Sequence, residues 1–413
     1  MITTLEEQQM RTEETLSPLF AERGHIAELN QRRVLKAFRD EEVADFHFAG
    51  STGYGYDDQG REKLENIYAA VFGAEQAVVR PQIVSGTHAI STALFGVLRP
   101  GDEMIYITGK PYDTLEEVIG VRDEKGSGSL RDFGIHYREV PLLNGKVNTS
   151  ELGHYITGKT RLVGIQRSRG YDQRPSLTIE EIEMVIREIR KLSPDTVIFV
   201  DNCYGEFVET REPTHVGADL IAGSLIKNPG GGLAKTGGYI AGNAGLIEQC
   251  ANRLTAPGIG LEGGATLHSL MDFFQGFFLA PHTVNEAVKG AMFTAHFLSC
   301  FGMEVSPSWD EKRTDLIQSV SFPDAESMIA FCRSIQACSP VDAHVQPNPS
   351  RMPGYESDVI MAAGTFVQGS SIELTADGPI RPPYTAYIQG GLTYEHVKIA
   401  VKDALQTIEV EKK

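Results

Sequence analysis

Residues 197–201 read VIFVD, an unbroken, largely β-branched apolar run that stops at an acid. A run that is apolar at every position cannot turn one face to water, so it predicts a strand buried on both sides, in a sheet with helices above and below it. The acid, Asp201, then falls at the carboxyl edge of that sheet, where open α/β sheets hold their ligands. A second apolar run, 221–226, delivers Lys227, and Asn228, Pro229 and three glycines after it stop either helix or strand. A lysine held on such a turn is expected to be desolvated, which lowers its pKa and makes the amine nucleophilic. Together the two residues suggest Schiff-base chemistry, with Asp201 as the partner of a pyridinium nitrogen.

Other strand-like runs lie at 77–84, 104–108, 135–140, 161–166, 220–223 and 239–241, with helical stretches between them. The alternation predicts an α/β fold, a seven-stranded mostly parallel sheet sandwiched by helices. The spacers are clearest at 62–72, where Leu64, Ile67, Tyr68 and Val71 share a face, at 88–98, and at 178–192, which Thr178 would cap. Residues 46–61 are rich in Gly, Asp and Tyr and read as irregular, and the first 45 residues read as amphipathic helix, either an arm on a partner subunit or a surface helix pair. Pro281 is expected to open a long helix ending near Gly302. Beyond it the pattern becomes short strands at 317–322 and 365–375, helices at 325–337 and 394–407, and a proline-rich loop at 344–358. The expected organisation is an N-terminal helical arm (1–50), a large domain (51–300) and a smaller C-terminal α+β domain (301–413), for which 413 residues at 41% apolar content suffice.

A net charge of −17 argues against nucleic-acid binding and against attraction to an anionic membrane. The chain has no apolar run long enough to span a bilayer, and its first residues are polar and acidic, so a cytoplasmic protein with small-molecule ligands is expected. Five cysteines without paired spacing read as free buried thiols, and no carboxylate or histidine cluster has ligand spacing for a metal.

Ser85, Gly86 and Thr87 stand between a strand and a helix, where backbone N–H groups and the helix dipole suit a phosphate. Ser224, three residues before Lys227, adds a hydroxyl. Tyr112 follows the second strand and is placed to stack on a cofactor ring or exchange a proton with substrate. Gln166, Arg167, Ser168 and Arg169 follow the fourth strand, and one of the arginines suits a carboxylate or phosphate. Each has a bland reading beside it: a helix cap, a half-buried aromatic ring, a surface ion pair.

The motifs SGTH (85–88), PYDT (111–114), VDNCYGEF (200–207) and GSLIKNPGGGLAKTGGYIAG (223–242) resemble, in order and spacing, those of fold-type I pyridoxal-phosphate enzymes of the transsulfuration group. More narrowly, GYGYDDQGR, QRSRGYDQRPS and SLIKNPGGG resemble the branch named for methionine gamma-lyase and aluminium resistance, in which cystathionine beta-lyase activity is also expected. The resemblance implies that Lys227 holds pyridoxal 5'-phosphate and moves the substrate's α-proton, that Asp201 keeps the ring nitrogen protonated, that Ser85, Gly86, Thr87 and Ser224 hold the phosphate, and that Tyr112 stacks on the ring, with Gln166 nearby. It implies a homodimer at least, and a homotetramer by analogy, in which Tyr54 and Tyr56 complete a neighbour's phosphate site where the family has a Tyr-x-Arg pair.

Two departures stand out. Ile226 replaces a threonine before the lysine, and the segment that in the family bears a carboxylate-binding arginine offers Tyr387 here, so Arg381 and Arg169 become the substrate-binding candidates. The function implied is elimination of a thiol from an amino-acid substrate of the methionine or cystathionine class, giving an oxo acid and ammonia. The alternatives are another reaction on the same cofactor (aldolase, decarboxylase or transaminase) and a non-catalytic binding protein of the same fold.

Overall fold

The computed structural model describes residues 4–122, 126–352 and 355–411. Its large sheet holds β1 (Gln76–Arg80), β2 (Glu103–Tyr106), β3 (His136–Glu139), β4 (Thr160–Gln166), β5 (Val197–Asp201), β6 (Leu220–Ser224) and β7 (Gly238–Gly242), in the order β1-β7-β6-β5-β4-β2-β3. Only β7 runs against its neighbours, pairing antiparallel with β1 and β6, so the other six strands end at one edge. All seven runs expected from the sequence are strands of this one sheet.

The two-sided burial expected of residues 197–201 is resolved residue by residue. Ile198 and Val200 face one core and Val197 and Phe199 the other, as the alternation of a strand requires. The first core is lined by α2 (Gln59–Phe72), α6 (Ile179–Leu192) and α8 (Leu270–Ser299), the second by α3 (Gly86–Val97), α4 (Asp113–Ile119) and α7 (Ala244–Leu254). Thr178 caps α6 in a full capping box with Glu181. The short α5 (Leu152–Tyr155) leads into β4, and α1 (Leu5–Asp40) lies on α8, where His296 Nδ1 and Thr12 Oγ1 are 3.0 Å apart.

A second sheet, wholly antiparallel, contains β8 (Glu304–Ser306), β9 (Gln318–Ser321), β10 (Val359–Ala362), β11 (Thr375–Pro379) and β12 (Thr385–Gln389), in the order β10-β11-β12-β9-β8. It packs on α9 (Ala325–Ala337), and α10 (Tyr394–Glu411) joins α9 to α8. Its apolar residues belong to the same core as α8 and the first face of the large sheet.

Several local expectations are corrected. The first 45 residues form one helix of 36 residues rather than a helix pair. Residues 45–48 make a 3-10 turn and α2 begins at Gln59, because the Asp58 carboxylate accepts the Arg61 N–H at 2.9 Å and caps the helix early. Pro281 lies inside α8 instead of opening it: the lost N–H is tolerated in a helix buried along most of its length. Residues 365–374 are not strand, since the Phe366 and Val367 N–H groups donate to the buried Glu373 carboxylate at 2.8 and 3.0 Å in place of a neighbouring strand. The loop reading of 344–358 holds among its described residues; positions 353 and 354 lie outside them. All five thiols are free, but Cys300 is exposed and Cys338 half-buried.

Candidate active site

Because β1, β2, β4, β5 and β6 end at one edge, the residues that follow them converge. Ser85, Gly86, Thr87, Tyr112, Gln166, Arg169, Asp201, Ser224, Lys227 and Arg381 all line a single cavity of about 510 Å³. Tyr54 and Tyr56 do not line it. They lie on the surface, 78% and 52% exposed, with their rings stacked at 5.4 Å.

Lys227 owes its position to the glycines after it. Gly231 has φ +55°, and a Cβ there would stand 2.3 Å from the Gly276 carbonyl oxygen; a Cβ on Gly276 would stand 2.2 Å from that of Gly230. The turn and α8 thus touch backbone to backbone, a contact only glycine allows. Lys227 Nζ lies 4.0 Å from the centre of the Tyr204 ring. Burial disfavours its charge, as expected, but the acidic groups around it, Cys203, Tyr204, Asp201 and Tyr112, outweigh burial and hold its pKa well above the ordinary value. The direction is thus opposite to the expected lowering.

Asp201 is buried, and its Oδ1 accepts the Cys203 N–H at 3.1 Å. Burial pushes its carboxyl up while the Lys227 ammonium pulls it back, the condition of an anion short of a cation. Ser85 caps α3 by accepting the His88 N–H at 3.1 Å, so its hydroxyl serves the helix. The first N–H groups of α3 have no intrahelical acceptor. Beside them Ser224 Oγ is 1% exposed by residue and has no partner, and a Cβ on Gly86 would stand 3.3 Å from Cys203 Sγ and 3.4 Å from Ser224 Cβ. An orphaned hydroxyl, open helix N–H groups and a space kept clear by glycine fit a phosphate. An under-compensated carboxylate fits a protonated ring nitrogen, and a primary amine fits an aldehyde. The residues present fit pyridoxal 5'-phosphate.

Tyr112 and Thr87 meet through their hydroxyls at 3.3 Å, and burial, then Asp201, raises the Tyr112 pKa, so its proton is retained. Gln166 accepts the Tyr112 N–H at 3.2 Å and donates to the Ser168 carbonyl at 3.0 Å, so its amide braces the cavity wall. The arginines part company. Arg167 is fully buried against Glu209, Glu212 and Asn202 and is structural. Arg169 lines the cavity with its guanidinium on the Ser306 and Ser319 hydroxyls at 3.1–3.2 Å, and no carboxylate pairs with it among the described residues. Tyr387 does not face the cavity; its hydroxyl donates to the Tyr171 carbonyl at 2.8 Å.

Sequence reasoning passed over Tyr171, Tyr204 and Tyr355, which line the cavity, and Asp377 behind them. Tyr204 stands three residues after Asp201 and takes φ +71°, a strained conformation of the sort functional sites retain. The others come from a loop and the small sheet, with no local pattern to mark them.

The chain matches the family model described as methionine gamma-lyase over residues 5–409. It is 60% identical over 405 residues to the uncharacterized protein YnbB of Bacillus subtilis, covering 98% of this chain and 96% of that one. A solved structure from Listeria monocytogenes, described as a candidate cystathionine beta-lyase involved in aluminium resistance, is 61% identical with a TM-score of 0.96, covering 98% and 100% of the two chains. The pyridoxal-5'-phosphate dependent protein YhfS of Escherichia coli, 14% identical with a TM-score of 0.62 over 92% of this chain and 96% of that one, shares the fold.

Proposed function

Since the chain belongs to the methionine gamma-lyase family, we propose that it is a pyridoxal-phosphate-dependent carbon–sulfur lyase that eliminates a thiol from a sulfur amino acid of the methionine or cystathionine class. The observation that carries this reading is the convergence on one cavity of Lys227, the buried Asp201 carboxylate and the orphaned Ser224 hydroxyl. When bound, the cofactor supplies an electron sink for the carbon next to the substrate's amino group.

The chain's own residues do the rest. Lys227 Nζ would hold the cofactor and, as the free amine left when the substrate's amino group takes its place, would accept the substrate's α-proton. Asp201 would keep the ring nitrogen protonated by its charge. Ser224 Oγ and the first N–H groups of α3 would hold the phosphate. Tyr112, whose proton is retained, gives it to the departing sulfur. Arg169, with no carboxylate of its own, takes the substrate's carboxylate through two of its N–H groups, and Arg381 stands at the cavity rim as a second cation. Tyr54 and Tyr56 belong to the reading of a homodimer or tetramer in the cytoplasm, in which they reach a neighbouring copy's cavity.

The purified protein should show an absorbance band of lysine-bound cofactor, or acquire it when pyridoxal 5'-phosphate is added. It should then release thiol and oxo acid from methionine, cystathionine or cysteine. A protein that gains no such band rules out the cofactor; a band with no thiol released from any of the three rules out the lyase.

A further inference from the structure

Several rings that line the cavity have no part in the chemistry above. Those of Tyr171 and Tyr355 have their centres 5.8 Å apart, and Tyr171 also packs on Tyr387 at 5.1 Å, so its ring is fixed in place. The Tyr171 hydroxyl donates to Asp377 Oδ2, and Gln389, another cavity residue, donates to Asp377 Oδ1 at 2.8 Å. Asp377 is buried on β11 and forms no ion pair with any described residue. Burial pushes its carboxyl up to about 6, against the hydrogen bonds from Tyr171 and Gln389 that favour the anion. A phenol that donates to a carboxylate becomes richer in electrons over its ring, and a tyrosine face backed by negative charge attracts a cation.

The third ring shows this attraction at work. Tyr204 carries the Lys227 ammonium at 4.0 Å from its centre. The same rings, with the Asp377 carboxylate behind Tyr171, line the space that a substrate would enter. Arg169 and Arg381 line the same cavity and are the groups suited to carboxylate.

We propose that the cavity selects an amino acid whose sulfur-bearing end carries a positive charge, either a sulfonium or an ammonium a short chain beyond the sulfur, seated on the faces of Tyr171, Tyr204 and Tyr355. This rests on the lyase reading and narrows its substrate class. A neutral thioether such as methionine would fill the space without using the rings.

The test uses the holoenzyme with its cofactor fixed to Lys227 by borohydride, so that ligands bind without turnover, and reads binding by calorimetry. S-methylmethionine is compared with its neutral carbon isostere homoleucine, and S-aminoethylcysteine with S-propylcysteine. At least one cationic member should bind about tenfold tighter than its neutral twin, and the pair that shows it identifies the charge as sulfonium or ammonium. Tyr171→Leu and, separately, Tyr355→Leu should bring that ratio close to one while the neutral twin binds as before. Equal binding within both pairs, or a preference that survives both variants, overturns the proposal. Failure of the lyase reading shows differently, as a protein with no cofactor to fix.

Discussion

The cavity wall built on the large sheet and the wall built against the small sheet come from different kinds of sequence. The first is made of residues that directly follow strands: Ser85 and Gly86 after β1, Asp201 ending β5, Ser224 ending β6 and Lys227 three residues on. Parallel strands share an edge, so residues at their ends meet whatever the loops between them do. The second is made of Tyr171, Tyr355, Arg381 and Gln389, from a loop after β4, a loop before β10, a turn and the end of β12. Its members meet because two sheets pack. The cofactor wall is thus fixed by topology and the substrate wall by tertiary contact, which lets one change while the other stays.

Variants can break that division or sharpen it. The largest effect should come from Lys227→Ala, which removes tether and base together: the cofactor band disappears and thiol release falls by on the order of 10³-fold or more. Asp201→Asn should retain the cofactor yet lower turnover by about 10²-fold, because an uncharged partner no longer stabilises the ring's proton; steady-state kinetics beside the absorbance spectrum separate the two. On the other wall, Arg169→Leu should raise KM by roughly 10–100-fold and leave kcat and the cofactor band nearly untouched. A loss of the band in that variant would show that the walls are not independent. The smallest change is expected of Ser224→Ala, about a tenfold weaker hold on the cofactor in an equilibrium titration, with KM for the amino acid unchanged.

The same division explains what could be read in advance. The large sheet was legible because each strand is a short apolar run, and the cofactor residues because they sit at the ends of those runs. Lys227 was legible in place but not in the direction of its pKa: its neighbours Cys203, Tyr204 and Tyr112 lie in the segments that follow β5 and β2, and their effect on the amine is a matter of proximity in space. Arg167 and Arg169 stand two residues apart and would share a face in a continuing strand, but β4 ends at Gln166 and the irregular chain beyond it sends one into Glu209 and Glu212 and the other into the cavity. Pro281 misled because a proline more often opens a helix than sits within one, and only the burial of α8 shows why it is tolerated. Residues 365–374 misled because Glu373 takes N–H groups that a strand would have given to its neighbour.

The contact between the Lys227 turn and α8 at Gly231 and Gly276 has no side chain in it and lies outside the cavity. With nothing between the two backbones to compress or rearrange, a shift of α8 is passed to the lysine undamped. The core shared by α8 and the small sheet becomes a mechanical reference for the reactive amine, so a single methyl group added at Gly276 would detune the site from behind, with every residue of the cavity unchanged.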